Sequence, residues 1–375
     1  MQAAYRVAFL DWLACAAGGA GEPAARAARA AADGLEARVA ALGTAGHVLD
    51  FDDTYTPGLA HLSAPVAPAA LVLGAEQGAT VGQVLDAYAA GFEAMAQLAR
   101  ANHPAMRERG FHPTATCGAV GAAVAAAALL ELDPGRTRAA LRLALLATGG
   151  LRAAFGSDGK ALQVGAAAAA GVRAARLAEA GASTSAEVER GWEQAYGARW
   201  VEPEPEGKAI NENWIKAYPC CLQTHGAIDA GLAARGSGAD TITVHPVSLT
   251  AAEIKDPTNG LQAKFSIPYL TAYALMRGAP TVESFQAVDE EVREAARALT
   301  VRTDATLLES EAILTEDGET VSRVEAALGS PQNPMTEERL AAKVHALAGD
   351  RLDGALDDPG RDANILLPRS HGHHS

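Results

Sequence analysis

From its start to about position 200 the chain is dominated by alanine and leucine, broken by glycine, proline and Asn-His pairs, and this run limits the fold more than any other feature. Alanine has the best helix propensity and leaves little bulk at a contact, so such a run favours helices packed closely through small side chains. The breaks predict helices over 80–101, 116–132, 133–149 and 164–180. Aromatic residues, at 5%, are too few to fill the core, while 49% hydrophobic and 20% charged residues suit an ordinary packed interior.

Beyond the acidic, proline-bearing stretch 201–207, which reads as a surface linker, the pattern changes. Residues 241–247 alternate like a strand, 299–303 form a second candidate, and 311–315 with 320–326 flank Asp317-Gly318, a strong hairpin signal. Helices are expected between them at 266–277 and 281–299. A helix returns at 335–347, with Thr336 as its N-cap and acidic residues in its first turn. The expectation is a mainly α protein. A large all-helical domain is built from both chain ends, 1–206 and 329–375, and a smaller α+β domain spans 207–328.

Charge and cysteines narrow the function. A net charge of −14 argues against a nucleic-acid binder, which needs a basic surface. An acidic chain can still hold an anionic metabolite by concentrating its few cations, and lysine is scarce enough for each position to matter. Cys15, Cys117, Cys220 and Cys221 form no C-x-x-C pair, which speaks against a disulfide framework or an iron–sulfur cluster and fits a reduced cytoplasmic setting. The apolar start is interrupted by Asp11 and reads as a folded helix rather than a signal peptide. The apolar runs 119–130 and 141–151 are too short to span a bilayer, so no membrane role is expected. The tail His371–Ser375 is too short to read as a metal site.

Four clusters could carry chemistry. The first holds His47, Asp50, Asp52, Asp53 and Thr54, followed by His61. It is either an acidic helix end or a polar pocket in which Asp50 orients a neighbouring histidine or lysine. The second, Arg109-Gly-Phe-His112-Pro-Thr114, sets a histidine ahead of a helix N-terminus, where the field favours a neutral imidazole able to accept a proton; a satisfied structural histidine is the alternative. In the third, Lys160 sits among glycines, as an anion cradle or a helix-entry turn; the P-loop order is missing. The fourth brings Lys216, Cys220, Cys221 and His225 near one turn, with packing favoured for Cys220 and Cys221 left as a pocket-wall candidate.

The ordered motifs Asp-Phe-Asp-Asp-Thr (50–54), Gly-Phe-His-Pro-Thr (110–114), Gly-x-x-x-Lys (156–160), Lys-x-Tyr-Pro-Cys-Cys (216–221), Phe-Ser-Ile-Pro-Tyr (265–269) and Gly-Ser-Pro-x-Asn-Pro-Met (329–335) resemble the MmgE/PrpD family nearly end to end. That family contains 2-methylcitrate dehydratases, cis-aconitate decarboxylases and iminodisuccinate epimerases. The resemblance implies a helical domain from both chain ends, an α+β lid and a homodimer. It implies a pocket of Asp50, Thr54, His61, His112, Lys160, Lys216, Cys221 and Tyr269. The chain departs from the family in being short between its first helix and Leu42, in Leu62 after His61, in Gln163 where many relatives have histidine, and in Cys221 where the decarboxylases have histidine.

The expected reaction is dehydration of a 2-methylcitrate-like hydroxy polycarboxylate, without metal or other cofactor. Lys160 and Lys216 would hold carboxylates, His112 would take the proton, and His61 or Tyr269 would protonate the departing hydroxyl. Epimerisation of an iminodisuccinate-like dicarboxylate is the alternative chemistry, and a catalytically weak binding homologue the alternative class.

Overall fold

The computed structural model describes residues 2–204 and 207–367. The tail 371–375, and positions 205–206 of the expected linker, lie outside the described residues.

Helices fill the first half: α1 (Gln2–Gly19), α2 (Pro23–Ala31), α3 (Leu35–Val48), α4 (Ser63–Glu76) and α5 (Val81–Asn102). They continue as the single-turn α6 (Ala105–Glu108), then α7 (Pro113–Leu129), α8 (Pro134–Leu145), α9 (Gly159–Glu179) and α10 (Glu187–Tyr196). α7 and α9 pack on each other, with α4 and α5 against α7 and α3 and α8 against α9. Small residues set these distances. A Cβ at Gly165 would lie 2.2 Å from the Ala40 carbonyl oxygen, and one at Gly91 would lie 2.5 Å from that of Gly121. α4 and α7 are buried on nearly every face, as uniformly apolar helices must be.

Local signals set the helix ends. Thr80 and Gln83 form a reciprocal capping box at α5, and Asp133 accepts from the amides of Gly135 and Arg136 at α8. α7 starts at Pro113, earlier than expected, because proline suits the first helical position. α9 starts at Gly159 rather than near 164, so Lys160 stands on its first turn and not in a loop. The stretch before 205 lies on α5, where Gln97 and the Glu204 backbone exchange hydrogen bonds of 3.0 and 2.9 Å.

Two short strands, β1 (Thr54–Tyr55) and β2 (Asn213–Trp214), join the chain's halves in an antiparallel ladder that pairs Thr54 with Trp214. The second half adds α11 (His225–Ala233), β3 (Thr241–Val244), α12 (Pro246–Ala251), α13 (Gly260–Ala263) and α14 (Ile267–Met276). Then come α15 (Glu290–Ala298), β4 (Thr300–Thr303), β5 (Ala312–Glu316) and β6 (Glu319–Val324). The sheet order is β4-β3-β5-β6, with β3 and β4 parallel and the other pairs antiparallel. α11 covers β5 and β6 and packs on α14. Asp317 and Gly318, at φ 50° and 85°, make the hairpin turn that the sequence signals.

β3 stops at Val244 because Pro246 opens α12. The helix expected over 281–299 divides, since Asp289 caps a new helix by accepting from the amides of Glu291 and Val292. α16 (Glu337–Ala348), capped by Thr336, packs on α1, where Lys343 meets Asp11 at 2.6 Å. The protein is therefore mainly α with a small α+β part. Among the described residues no helix is long and apolar enough to cross a membrane.

Candidate active site

The site is built on the turn that ends α3. Asp50 takes φ 57°, a left-handed conformation that aspartate tolerates better than most side chains. The end of a helix leaves carbonyls without partners, and here buried lysines supply them. Lys264 Nζ donates to the Leu49 and Val48 carbonyls at 2.8 and 3.4 Å, Lys216 to that of Asp50 at 2.8 Å, and Lys343 to that of Phe51 at 2.8 Å. The chain has six lysines, at 160, 208, 216, 255, 264 and 343, and four of them converge on this turn.

Asp50 is the hub. Its Oδ1 accepts from Lys160 at 2.8 Å and Lys216 at 3.0 Å. Burial would raise its pKa, but the two ammonium groups, with His61 and His47, hold the carboxyl well below its ordinary range. Burial would likewise lower Lys216, yet Asp50 and Asp52 outweigh it and raise that pKa. Lys264 has carbonyl partners and, among the described residues, no such ion pair, and burial takes its pKa down to about 8.

Two residues on, Asp52 meets imidazoles instead. Its Oδ2 lies 2.8 Å from His47 Nδ1 and 3.2 Å from His61 Nδ1. Burial opposes ionisation of Asp52, but both histidines favour it and its pKa lies well below the usual range. An ionised carboxylate only accepts hydrogen bonds, so His61 carries its proton on Nδ1 and keeps the Nε2 lone pair free. Burial, against the pull of Asp52, brings the His61 pKa down to about 3, with Lys216 and Lys160 adding to the depression.

His112 has the opposite tautomer. It stands at the N-cap of α7, and its Nδ1 lies 2.7 Å from Gln163 Nε2. The amide cannot be turned round, because Gln163 Oε1 accepts from the Leu151 N–H at 2.8 Å and Nε2 also reaches the Leu151 carbonyl at 3.2 Å. Nδ1 is thus an acceptor, and the proton of the neutral ring sits on Nε2. Burial, His47 and Lys160 lower the His112 pKa well below its ordinary value.

Asp53 completes the turn in a third environment. It accepts from the Ser63 hydroxyl at 2.6 Å and the Asn213 amide at 2.7 Å, and Ser63 also meets Tyr88 Oη at 2.6 Å. Burial raises its pKa to about 7, aided by Asp52 and resisted by Ser63 and Asn213.

A pocket with an empty volume of about 390 Å³ opens onto this arrangement, lined by Asp50, Thr54, His61, His112, Lys160 and Cys221, and also by Arg107, Phe155, Gln223 and Phe265. Six of the eight residues expected at the site therefore share one cavity. Thr54 Oγ1 stands 3.5 Å from His61 Nδ1, and the His61 amide donates to Thr114 Oγ1 at 3.0 Å, which ties the first two motifs together. The Lys160 ammonium faces the adjacent Phe155 and Phe265 rings, 5.6 and 5.5 Å from their centres. A second hollow of about 310 Å³, lined by Ser157, Lys264 and Leu261 among others, shares Asp50, Lys160 and Phe265 with it.

Two of the eight expected residues do not line this cavity. Lys216 is fully buried, does not line the pocket, and is engaged by Asp50. Tyr269 is not brought to the cluster either. The Ser266 cap sets it in the first turn of α14, where its ring is buried beside Tyr218 and Phe285 and its hydroxyl accepts from the Asp289 amide at 3.0 Å. Phe265, just before that cap, faces the pocket instead.

His47, Asp52 and His61 offer ligand atoms within 4.8 Å of one another and could in outline hold a metal ion. The nearby ammonium groups, which add to the burial that depresses the two histidines, would repel a divalent cation as well. Hydrogen bonding of a carboxylate to two imidazoles is the arrangement that this field favours.

Sequence reasoning set Asp52 and His47 beside the candidates without assigning them a part, and it missed Lys264, Lys343 and Arg107. The scarcity of lysine was the available signal for the first two; a lone arginine in a four-residue helix offers none.

Both halves of the chain match known family models. The family model described as the MmgE/PrpD N-terminal domain matches residues 35–200, and that of the MmgE/PrpD C-terminal domain matches 218–360. The chain is similar to the cis-aconitate decarboxylase of Homo sapiens, 27% identical over 347 residues that cover 83% of this chain and 72% of the relative. The Aspergillus terreus cis-aconitate decarboxylase is 27% identical over 359 residues, covering 81% and 72%.

Proposed function

Because the chain belongs to the MmgE/PrpD family, we propose that it is a lyase for a small di- or tricarboxylate, working by proton transfer next to a carboxylate, with dehydration of a 2-methylcitrate-like hydroxy acid as its reaction. The observation that carries this reading is the pair of pocket histidines in opposite tautomers.

In this scheme His61 is the base and His112 the acid. His61 Nε2 takes the proton from the carbon beside a carboxylate, while Asp52 supports the imidazolium that forms. The C–H electron pair becomes the new C=C bond, the C–O bond breaks, and His112 gives its Nε2 proton to the departing hydroxyl, which leaves as water. With the pocket empty, His61 is too weak a base, at about 3. An arriving polycarboxylate supplies negative charge beside it and raises its basicity as the substrate binds. Lys160 serves as the carboxylate anchor, held in position by Asp50, which Lys216 holds in turn.

Decarboxylation is the second reading, favoured by the similarity to the cis-aconitate decarboxylases. There a carboxylate leaves as CO2 and His112 protonates the carbon. The reading carries with it a homodimer in the cytoplasm, without nucleic-acid or membrane partners.

NMR in heavy water tests these alternatives. Dehydration converts the methyl doublet of 2-methylcitrate into an alkene methyl singlet. Loss of CO2 from cis-aconitate with 2-methylcitrate untouched would select decarboxylation, and solvent exchange without an alkene would select epimerisation. No change in any of these substrates would overturn the lyase assignment. Turnover is expected to survive treatment with a chelator.

A further inference from the structure

Of the two permanent cations that line the pocket, Lys160 is already held by Asp50 at 2.8 Å. Arg107 is not held in this way. Its side chain is buried, the residue being 6% exposed, and its Nε has no hydrogen-bond partner. Its one side-chain hydrogen bond among the described residues runs from Nη2 to the Thr250 carbonyl at 2.8 Å, and the carboxylates that act on it, Glu253 and Glu309, stand beyond ion-pair distance. Two positions along, Arg109 is exposed and donates to the Tyr196 carbonyl, as a surface arginine would. Gln223, 7% exposed, also lines the pocket; its Oε1 accepts from the Cys221 thiol, and its side chain also engages Glu309.

A buried guanidinium with no carboxylate at ion-pair distance is costly: burial and the neighbouring Arg152 act against its charge, and Cys221, Glu253 and Glu309 support it only in part, since its pKa stays lowered. A ligand carboxylate would relieve that cost and meet the planar fork that arginine offers and lysine does not. We propose that Arg107 receives a second carboxylate of the substrate, across the pocket from the Lys160 anchor, and that this subsite selects a tricarboxylate over a shorter diacid. The proposal rests on the carboxylate-pocket reading above and adds the residue that measures the substrate's length.

A structural role is the competing account, because Arg107 ties α6 to α12 through Thr250. Arg152 supplies the control: its Nη2 donates to the same carbonyl at 3.1 Å, it lies 3.4 Å from Glu253, and it does not line the pocket.

The test is calorimetric binding of two unreactive probes, propane-1,2,3-tricarboxylate and glutarate, to the full chain. The wild type is expected to prefer the tricarboxylate. Arg107→Gln should weaken tricarboxylate binding by about 10–100-fold, the worth of a charged hydrogen-bonded contact, and remove the preference. Arg152→Gln should stay within about twofold of the wild type. Arg107→Lys, which keeps the charge without the fork, should lose part of the preference and serves if the glutamine variant does not fold. Unchanged preference in either Arg107 variant, or equal losses in Arg107→Gln and Arg152→Gln, would overturn the proposal while leaving the carboxylate pocket intact. Failure of the wild type to bind either probe would overturn both.

Discussion

The two sides of the pocket are built on neighbouring carboxylates that do opposite work. Asp50 faces two ammonium groups and balances one of their charges, leaving a fixed ionic knot, net positive, that holds Lys160 at the pocket wall. Asp52 faces imidazoles, which can accept a proton at one ring nitrogen while donating from the other, and so it orients groups able to move protons. One side positions charge and the other prepares transfer. The residues are chemically identical and two positions apart, so the partners delivered by distant helices make the difference.

Removing Asp50 should break the knot most severely. Asp50→Asn keeps a side chain that tolerates φ 57° but strands two buried ammonium groups, and should cost about 3–5 kcal/mol in denaturant unfolding and abolish turnover. Asp52→Asn should leave the fold closer to intact, at a cost of about 1–3 kcal/mol, because its partners are neutral rings. Its turnover should nevertheless fall by about 10²–10⁴-fold, since an amide can no longer fix both Nδ1 protons. A stability loss at Asp52 equal to that at Asp50 would dissolve the contrast. Gln163→Leu should act more mildly, lowering kcat by about 10-fold with KM little changed, because His112 stays in place but loses the donor that fixes its tautomer.

The smallest effect is in the pH dependence of stability, where the two kinds of site have opposite signs. His61 has its pKa lowered from 6.5 to about 3, so the unfolded chain binds the proton first and stability falls as pH drops from about 6.5 towards 3. Asp53 has its pKa raised from 3.8 to about 7, so the folded chain keeps its proton longer and its contribution is lost as pH rises from about 4 through 7. Asp53→Asn should remove that second decline and leave a steeper net rise with pH over the same interval, measured by thermal unfolding. An unchanged pH profile would contradict the assignment of a neutral Asp53.

The helical body was legible in the sequence because alanine runs, caps and proline breaks act locally. Thr80, Asp133, Thr336 and the Asp317-Gly318 turn all do what their residue types favour. The split at Asp289 was not legible, since one cap interrupts an otherwise continuous helical pattern. In the site, the motifs located His61, His112, Lys160 and Asp50, but their roles depend on partners far along the chain. Gln163 is 51 positions from His112, and Lys343 is 292 from Phe51. Tyr269 shows the reverse: its motif reaches the pocket through Phe265, while its own hydroxyl bonds the Asp289 amide.

The tautomers of the two pocket histidines offer the most direct test. Nitrogen-15 NMR of histidine-labelled protein at neutral pH should find His61 protonated on Nδ1 and His112 on Nε2, with both rings neutral. Finding the same tautomer on both rings, or a charged His61 in the empty pocket, would contradict the division into base and acid on which the account stands.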